Sequence, residues 1–451
     1  MGELDVRLVG AVGAGDADAV RGLVEAGADP DAVGADGLPV LCGAVTAFAV
    51  DVVRALVEAG ADPDRVLPDG TTALLRAVEG GSPAVWEACT GARVRERLPE
   101  GERARLLEVA RRWYEAGAEA ELRRLTGVRG PARVEVVAEG EFGRVEEITL
   151  GGRTVRGGHG AVLTGLEWEF RILAPVDELM GRGTKHEYDG GDEEPVDRSA
   201  VRWALGRRES AETWLQVVEY RRHPSPAYRA FVAEFLRMGP YVWGSAAHAG
   251  WYEKELLALL PGWAEGEPDG GVLALVLGLF HEEGHPRAAE FGLRYAGHPD
   301  VRVRRGVPQL LDGSPDPGAW RAVRGLGRDP DSEVRRRVAE ALDGGREEDR
   351  EVMLALLGDE DPEVRAWAVN ATGFWADRSP EIGEALWGQL DAEDGEARLD
   401  VAFTLARRND PRTREAYERV GPLGPEYEGD HRLDGLWRWE SRNEGESPSG
   451  V

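Results

Sequence analysis

Cysteine occurs only twice in 451 residues, as Cys42 and Cys89, so no disulfide framework can organise this chain. A reducing cytoplasm is its expected setting. Lysine is equally scarce. Lys185 and Lys254 are the only two, and arginine carries the rest of the basic charge, a bias that fits a GC-rich bacterial gene. No apolar run is longer than Val272 to Phe280, far short of a bilayer span. The N-terminus, Met1-Gly2-Glu3-Leu4-Asp5, lacks the basic and apolar regions of a signal peptide. Positive charge is itself in deficit: 55 bases face 83 acids, for a net charge of -28. Binding a phosphate backbone depends on Lys and Arg contacts, so nucleic acids and anionic membranes are poor partners. A basic or mixed-charge protein is the easier match, unless the acidic surface serves only solubility.

What the chain has is repetition. Ala11 to Asp31 returns 33 residues later as Ala44 to Asp64, identical at 15 of 21 positions. Leu23 to Asp31 recurs unchanged as Leu56 to Asp64. A period of 33 predicts stacked helical hairpins, which work through surfaces more than through pockets. Asp36-Gly37 and Asp69-Gly70 open two units with a turn, and each unit continues into a short helix holding Leu41 or Leu74. A second helix places Val53, Leu56 and Val57 on one stripe, and Gly60 is placed for a left-handed C-cap.

These residues resemble ankyrin repeats. Asp69-Gly70-Thr71-Thr72-Ala73-Leu74 stands where that family has its turn and Thr-Pro-Leu-His motif, and Gly60-Ala61-Asp62-Pro63 matches its Gly-Ala-Asp ending. The chain departs from the family where Cys42 and Leu75 replace His and Pro39 replaces Thr. The third unit also lacks its ending, which reappears late as Tyr114 to Glu119 after an inserted helix around Glu102 to Arg112. The resemblance implies a protein-binding face formed by turn tips and first helices. On this chain it comprises Ala35, Leu38, Gly43, Leu67, Thr71 and Arg76, which could equally be solvated positions of a structural cap.

Between Arg133 and Arg156 the period changes to short β-branched runs, with Gly151-Gly152 as a two-residue hairpin turn. Either the hairpin seals the helical stack or it forms a small ligand-binding appendage; sealing is favoured because terminal repeats need caps. A helix is expected from Gly160 to Leu173, and His186 to Asp197 reads as a mobile linker.

A second period of about 31 residues follows. Asp300, Asp331, Asp361 and Asp394 each stand four residues before Arg304, Arg335, Arg365 or Arg398. Each Asp is placed to cap a helix, and each Arg is placed for ion pairing. Asp269 and Ser225 fit the same frame, which predicts six hairpins between about 208 and 420 with a looser piece from Met238 to Leu260. Asp329-Pro330-Asp331-Ser332-Glu333-Val334-Arg335 resembles HEAT repeats in the short bacterial form. The arginine column reads as a salt-bridge ladder in preference to a basic stripe. Trp214, Trp320 and Trp367 are expected in the core, whereas Trp437-Arg438-Trp439 either anchors a partner or caps the array.

His281-Glu282-Glu283-Gly284-His285 satisfies the H-E-x-x-H pattern, but Gly284 and Pro286 should end the helix before His285 is placed as a ligand. Gly10, Gly13 and Gly15 mimic a phosphate loop without the strand it requires.

The expectation is a mainly α chain: ankyrin repeats over 1–125, a β-hairpin with a helix and acidic linker over 126–200, HEAT-like repeats over 201–422, and a polar tail over 423–451. Its expected function is a non-catalytic protein-interaction scaffold, with no cofactor and no metal. A HEAT-repeat enzyme of the lyase or metal-dependent type is the alternative, and an apolar cavity with convergent polar groups would mark it.

Overall fold

The computed structural model describes residues 2–91, 94–188, 190–191, 193–239, 249–391 and 394–444. The chain is mainly α and folds as two compact units, Met1–Tyr252 and Glu253–Val451.

The first unit begins with α1 (Glu3–Ala14), α2 (Ala17–Glu25), α3 (Val40–Thr46), α4 (Val50–Glu58), α5 (Ala73–Gly80), α6 (Pro83–Thr90), α7 (Val94–Arg97), α8 (Glu100–Ala116) and α9 (Ala118–Thr126). Helices α1, α3, α5 and α8 stack as one layer, and α2, α4 and α6 as a second. The 33-residue echo is therefore a spatial repeat. Gly27 and Gly60 take φ of 98° and 100°, a left-handed geometry that glycine adopts without a Cβ penalty. Asp36 and Asp69 accept the backbone N–H two residues on, at 3.0 and 2.9 Å, closing the two turns alike. Gly10, Gly13 and Gly15 belong to α1 and its C-cap. Cys42 and Leu75 are buried, so apolar packing replaces the polar network a histidine would join there. Thr72 still caps α5 by accepting from Leu75 N at 3.0 Å, whereas Pro39 gives α3 no side-chain cap.

Strands β1 (Arg133–Glu139), β2 (Gly143–Leu150) and β3 (Arg153–Arg156) form an antiparallel meander, and β4 (Glu194–Pro195) pairs in parallel with the start of β2. Gly151 and Gly152, at φ of 60° and 77°, make the two-residue turn between Leu150 and Arg153. Ile148, Leu150 and Val155 join the same apolar core as the helical stack, so the sheet closes that stack. Helix α10 (His159–Glu169) is shorter than expected: Arg171 turns left-handed at φ 62°, and Leu173 stands 70% exposed beyond it.

Helices α11 (Val176–Gly183), α12 (Val196–Gly206), α13 (Ala211–Glu219), α14 (Pro226–Arg237) and α15 (Ala249–Gly266) follow. The expected linker ends inside the fold. Glu194 and Asp197 are buried, and Asp197 accepts the Ala161 N–H at 2.7 Å; residues 189 and 192 lie outside the described residues. Here charge is buried in matched sets. Fully buried Arg182 reaches Glu167 at 2.6 Å, and Arg198 reaches Glu234 at 2.8 Å. The looser piece from Met238 to Leu260 falls partly on 240–248, also outside the described residues.

The second unit holds α16 (Gly270–Glu282), α17 (Ala288–Tyr295), α18 (Val301–Leu311), α19 (Pro317–Leu326), α20 (Ser332–Ala341), α21 (Glu347–Leu357), α22 (Pro362–Thr372), α23 (Pro380–Gly388), α24 (Gly395–Arg407), α25 (Thr413–Val420) and α26 (Asp434–Glu444). One layer runs α16, α18, α20, α22, α24, α26, and α17, α19, α21 and α23 form the other. Val303, Val334 and Val364 are buried between the layers, as are Val307, Val338, Ala368 and Val401. Asp269, Asp300, Asp331, Asp361 and Asp394 each accept a backbone N–H at their helix start, satisfying donors the helix leaves unpaired. Ser225, on the first unit, makes no such side-chain bond.

The arginine column forms ladder rungs at Arg304 and Arg335, whereas Arg398 bonds the Val420 carbonyl. Arg304 forks onto Asp329 at 2.7 and 3.0 Å, and Arg335 onto Asp359 at 2.8 Å through both nitrogens. Meanwhile the Nη1 atoms of Arg304, Arg335 and Arg365 each donate to two carbonyls just before their own helix. Each arginine thus pins its own loop, and the first two also grip the following repeat. The expected polar tail is helical where described, since α26 packs on α24 as the next member of the layer; residues 445–451 lie outside the described residues.

Candidate functional site

The six residues expected to form an N-terminal binding face divide sharply. Ala35 and Gly43 are exposed but small. Leu38 is half-buried against the core. Leu67 is a correction: it is only 5% exposed, because its turn closes through hydrogen bonds between Leu67 N and Thr71 O and between Gly70 N and Leu67 O, which folds the side chain inward. Thr71 and Arg76 are half-buried and bonded to Asp69, Thr71 Oγ1 at 2.7 Å and Arg76 Nη2 at 2.8 Å. The Thr71 hydroxyl and N–H, with Arg76, hold the Asp69 carboxyl down to about 2. This face offers a neutralised Asp-Thr-Arg cluster and little apolar area.

The first-helix layer of the second unit is different. Trp367 is 42% exposed, a correction to its expected core position. It follows Val364 by three residues and precedes buried Ala368, on the outward side of α22, where the Arg336 guanidinium lies 4.6 Å from its ring centre. One turn beyond the end of α22, Phe374 is 69% exposed with Arg407 stacked at 3.9 Å. Arginine planes over aromatic rings hold apolar surface in solvent at a favourable contact energy. Between α22, α24 and α26, Phe374 and Arg407 border a groove of about 420 Å³, lined also by Arg378, Phe403, Arg438 and Arg442 among others. A neighbouring cavity of about 330 Å³ is bounded by Asp400, Asp430 and Arg432, which pair with one another at 2.7 Å.

Sequence patterns did not bring this groove together. Its arginines come from two helices, α24 and α26, and from the loop after α22, and they stand outside the Asp-to-Arg frame. Only Trp437-Arg438-Trp439 gave a signal, and of the two uses considered the structure bears on the cap. Helix α26 packs on the array, while Trp437 remains 68% exposed.

The H-E-x-x-H pattern is dismantled by the backbone. Helix α16 ends at Glu282, Gly284 is left-handed, and His285 turns inward. Its Nε2 meets the Leu257 carbonyl at 3.1 Å, and its Nδ1 accepts the Arg287 N–H at 3.0 Å, so both ring nitrogens are engaged. Among the described residues, no group of three or more His, Cys, Asp or Glu side chains is arranged to hold a metal ion. No helix among them is long and apolar enough to cross a membrane.

Residues 322–406 match the family model of HEAT repeats, the segment that contains the Arg335–Asp359 rung and α20 to α24. No curated protein matches the chain. Among solved structures, the X-ray structure of YibA from Escherichia coli is similar at a TM-score of 0.44 and 16% identity, covering 59% of this chain and 98% of YibA. The family match supports a HEAT-repeat array in this chain.

Proposed function

We propose that the chain is a non-catalytic scaffold that recognises another protein through the exposed helix faces of its repeats, without a cofactor, in the cytoplasm. In this reading the N-terminal repeats, over 1–125, are of the ankyrin type, and 201–422 are HEAT-like. The observation that carries it is the outward row of Trp367 and Phe374, each held against an arginine on rigid helices. Trp and Arg dominate the energetics of protein interfaces, and pre-ordered side chains lose little entropy on binding.

Affinity capture with the immobilised full chain, from the cytoplasm that expresses it, tests this reading. Trp367→Ala should release the captured partner, and Ala35→Glu with Arg76→Glu reports whether the N-terminal face contributes. A partner retained by all three substitutions at wild-type yield would sink the proposal.

A further inference from the structure

The groove between α22, α24 and α26 is electrostatically out of character with its chain. Over the whole chain acids outnumber bases, and in the array Arg304 and Arg335 are forked onto aspartates. Here three arginines are held by carbonyls and not by carboxylates. Arg442 donates to the Ala406 carbonyl at 2.8 Å, and Arg407 to the Gly373 carbonyl at 3.4 Å. Arg378 bonds the Trp375 carbonyl. Among the described residues, none of these three has a carboxylate within 4.0 Å. Arg438 has only Asp434 at 3.5 Å, on an exposed turn. Just beneath, Arg408 is 6% exposed and bonds the Thr372 carbonyl, so burial, then the nearby Arg378 charge, pushes its pKa down. Carbonyl oxygens orient these guanidinium groups but leave their positive charge uncompensated.

From this geometry we infer that the groove binds an acidic segment of a partner protein, with carboxylates on Arg378, Arg438 and Arg442 and an apolar side chain on the Phe374–Arg407 stack. The inference rests on the scaffold reading and adds the chemical class of the partner. Guanidinium groups take carboxylates in paired hydrogen bonds, and their mutual repulsion falls when an acid arrives. Charge complementarity selects the occupant. A short acidic segment meets the local positive field within one Debye length, about 8 Å at physiological salt. A long polyanion would extend over the acidic remainder of the chain and be repelled.

The test is fluorescence anisotropy of the full chain with a labelled peptide of glutamates flanking a central leucine, near physiological salt. The wild type should bind it, more weakly as salt rises, and should ignore the matching lysine peptide. Arg438→Glu, at an exposed position, should weaken binding at least about tenfold, and Phe374→Ala by several-fold. Absence of peptide binding, or an unchanged affinity in Arg438→Glu with helicity intact, overturns the inference. So does a short DNA duplex that binds more tightly than the peptide through the same arginines. Partner capture that depends on Trp367 while the peptide fails to bind would leave the scaffold reading standing and remove this one alone.

Discussion

The N-terminal repeats and the C-terminal array solve one problem with different chemistry. Both stack helical hairpins in two layers, and both must fix each hairpin to the next. In the first N-terminal repeats the joints are carboxylates on loop backbone, Asp5 accepting Asp29 N and Asp31 accepting Asp62 N, each at 3.1 Å in exposed settings, and only the next, Asp64 with Arg97, is an ion pair. In the array the joints are Arg–Asp forks in which Arg335 and Asp359 have side chains only 10% and 9% exposed. Their outer faces diverge as well. The first offers Ala35, Gly43 and a neutralised Arg76; the second offers Trp367, Phe374 and unmatched arginines. A shared architecture therefore does not imply a shared role, since the joint chemistry sets rigidity and the outward residues set recognition.

Three measurements would break or sharpen this contrast. The largest effect should come from Arg335→Ala. It strands a nearly buried Asp359 and frees the Asp329 and Pro330 carbonyls, so urea unfolding should show a loss of about 3 kcal/mol. Asp31→Ala, at an exposed N-terminal joint, should cost less than half of that; equal losses would erase the distinction.

Next comes acid. His159 is 1% exposed, stacked on Trp113 at 4.8 Å, and desolvation lowers its pKa to about 4 from 6.5. The unfolded chain therefore takes up this proton first. The group's stabilisation is complete above pH 6.5 and declines as pH falls toward 4, by up to roughly 3 kcal/mol. His159→Gln should flatten the stability slope across that window, and an unchanged slope would show that the histidine is not held neutral.

The smallest effect concerns caps. Asp269→Ala removes a bond to Val272 N and should cost about 1 kcal/mol, whereas Ser225→Ala removes no cap bond and should cost only a few tenths. Matching losses in thermal melts would show that the two positions are equivalent after all.

Local and periodic features were legible in the sequence. The 33-residue echo, the Asp-to-Arg spacing and the Gly151-Gly152 turn depend on residues near one another in the chain, and each has its structural counterpart. The inward Leu67 was not legible, because a five-residue turn decides it and a family pattern does not. Trp367 misled because the buried stripe of its helix is narrow enough that three residues past Val364 already lies outside. The groove was hidden for a different reason: Phe374, Arg407 and Arg442 lie up to 68 residues apart and share no period. The expected linker concealed Asp197, whose burial depends on capping a helix that begins 38 residues earlier, at His159.

The Arg–Asp ladder also has a direction. Each rung runs from an arginine in one repeat to an aspartate that opens the next, and the repeat holding Asp329 and Arg335 supplies one of each. Such a repeat is an interchangeable part. Copied or excised as a whole, it leaves every remaining rung with a donor and an acceptor, so the array can change length by duplication or loss without inventing a new joint.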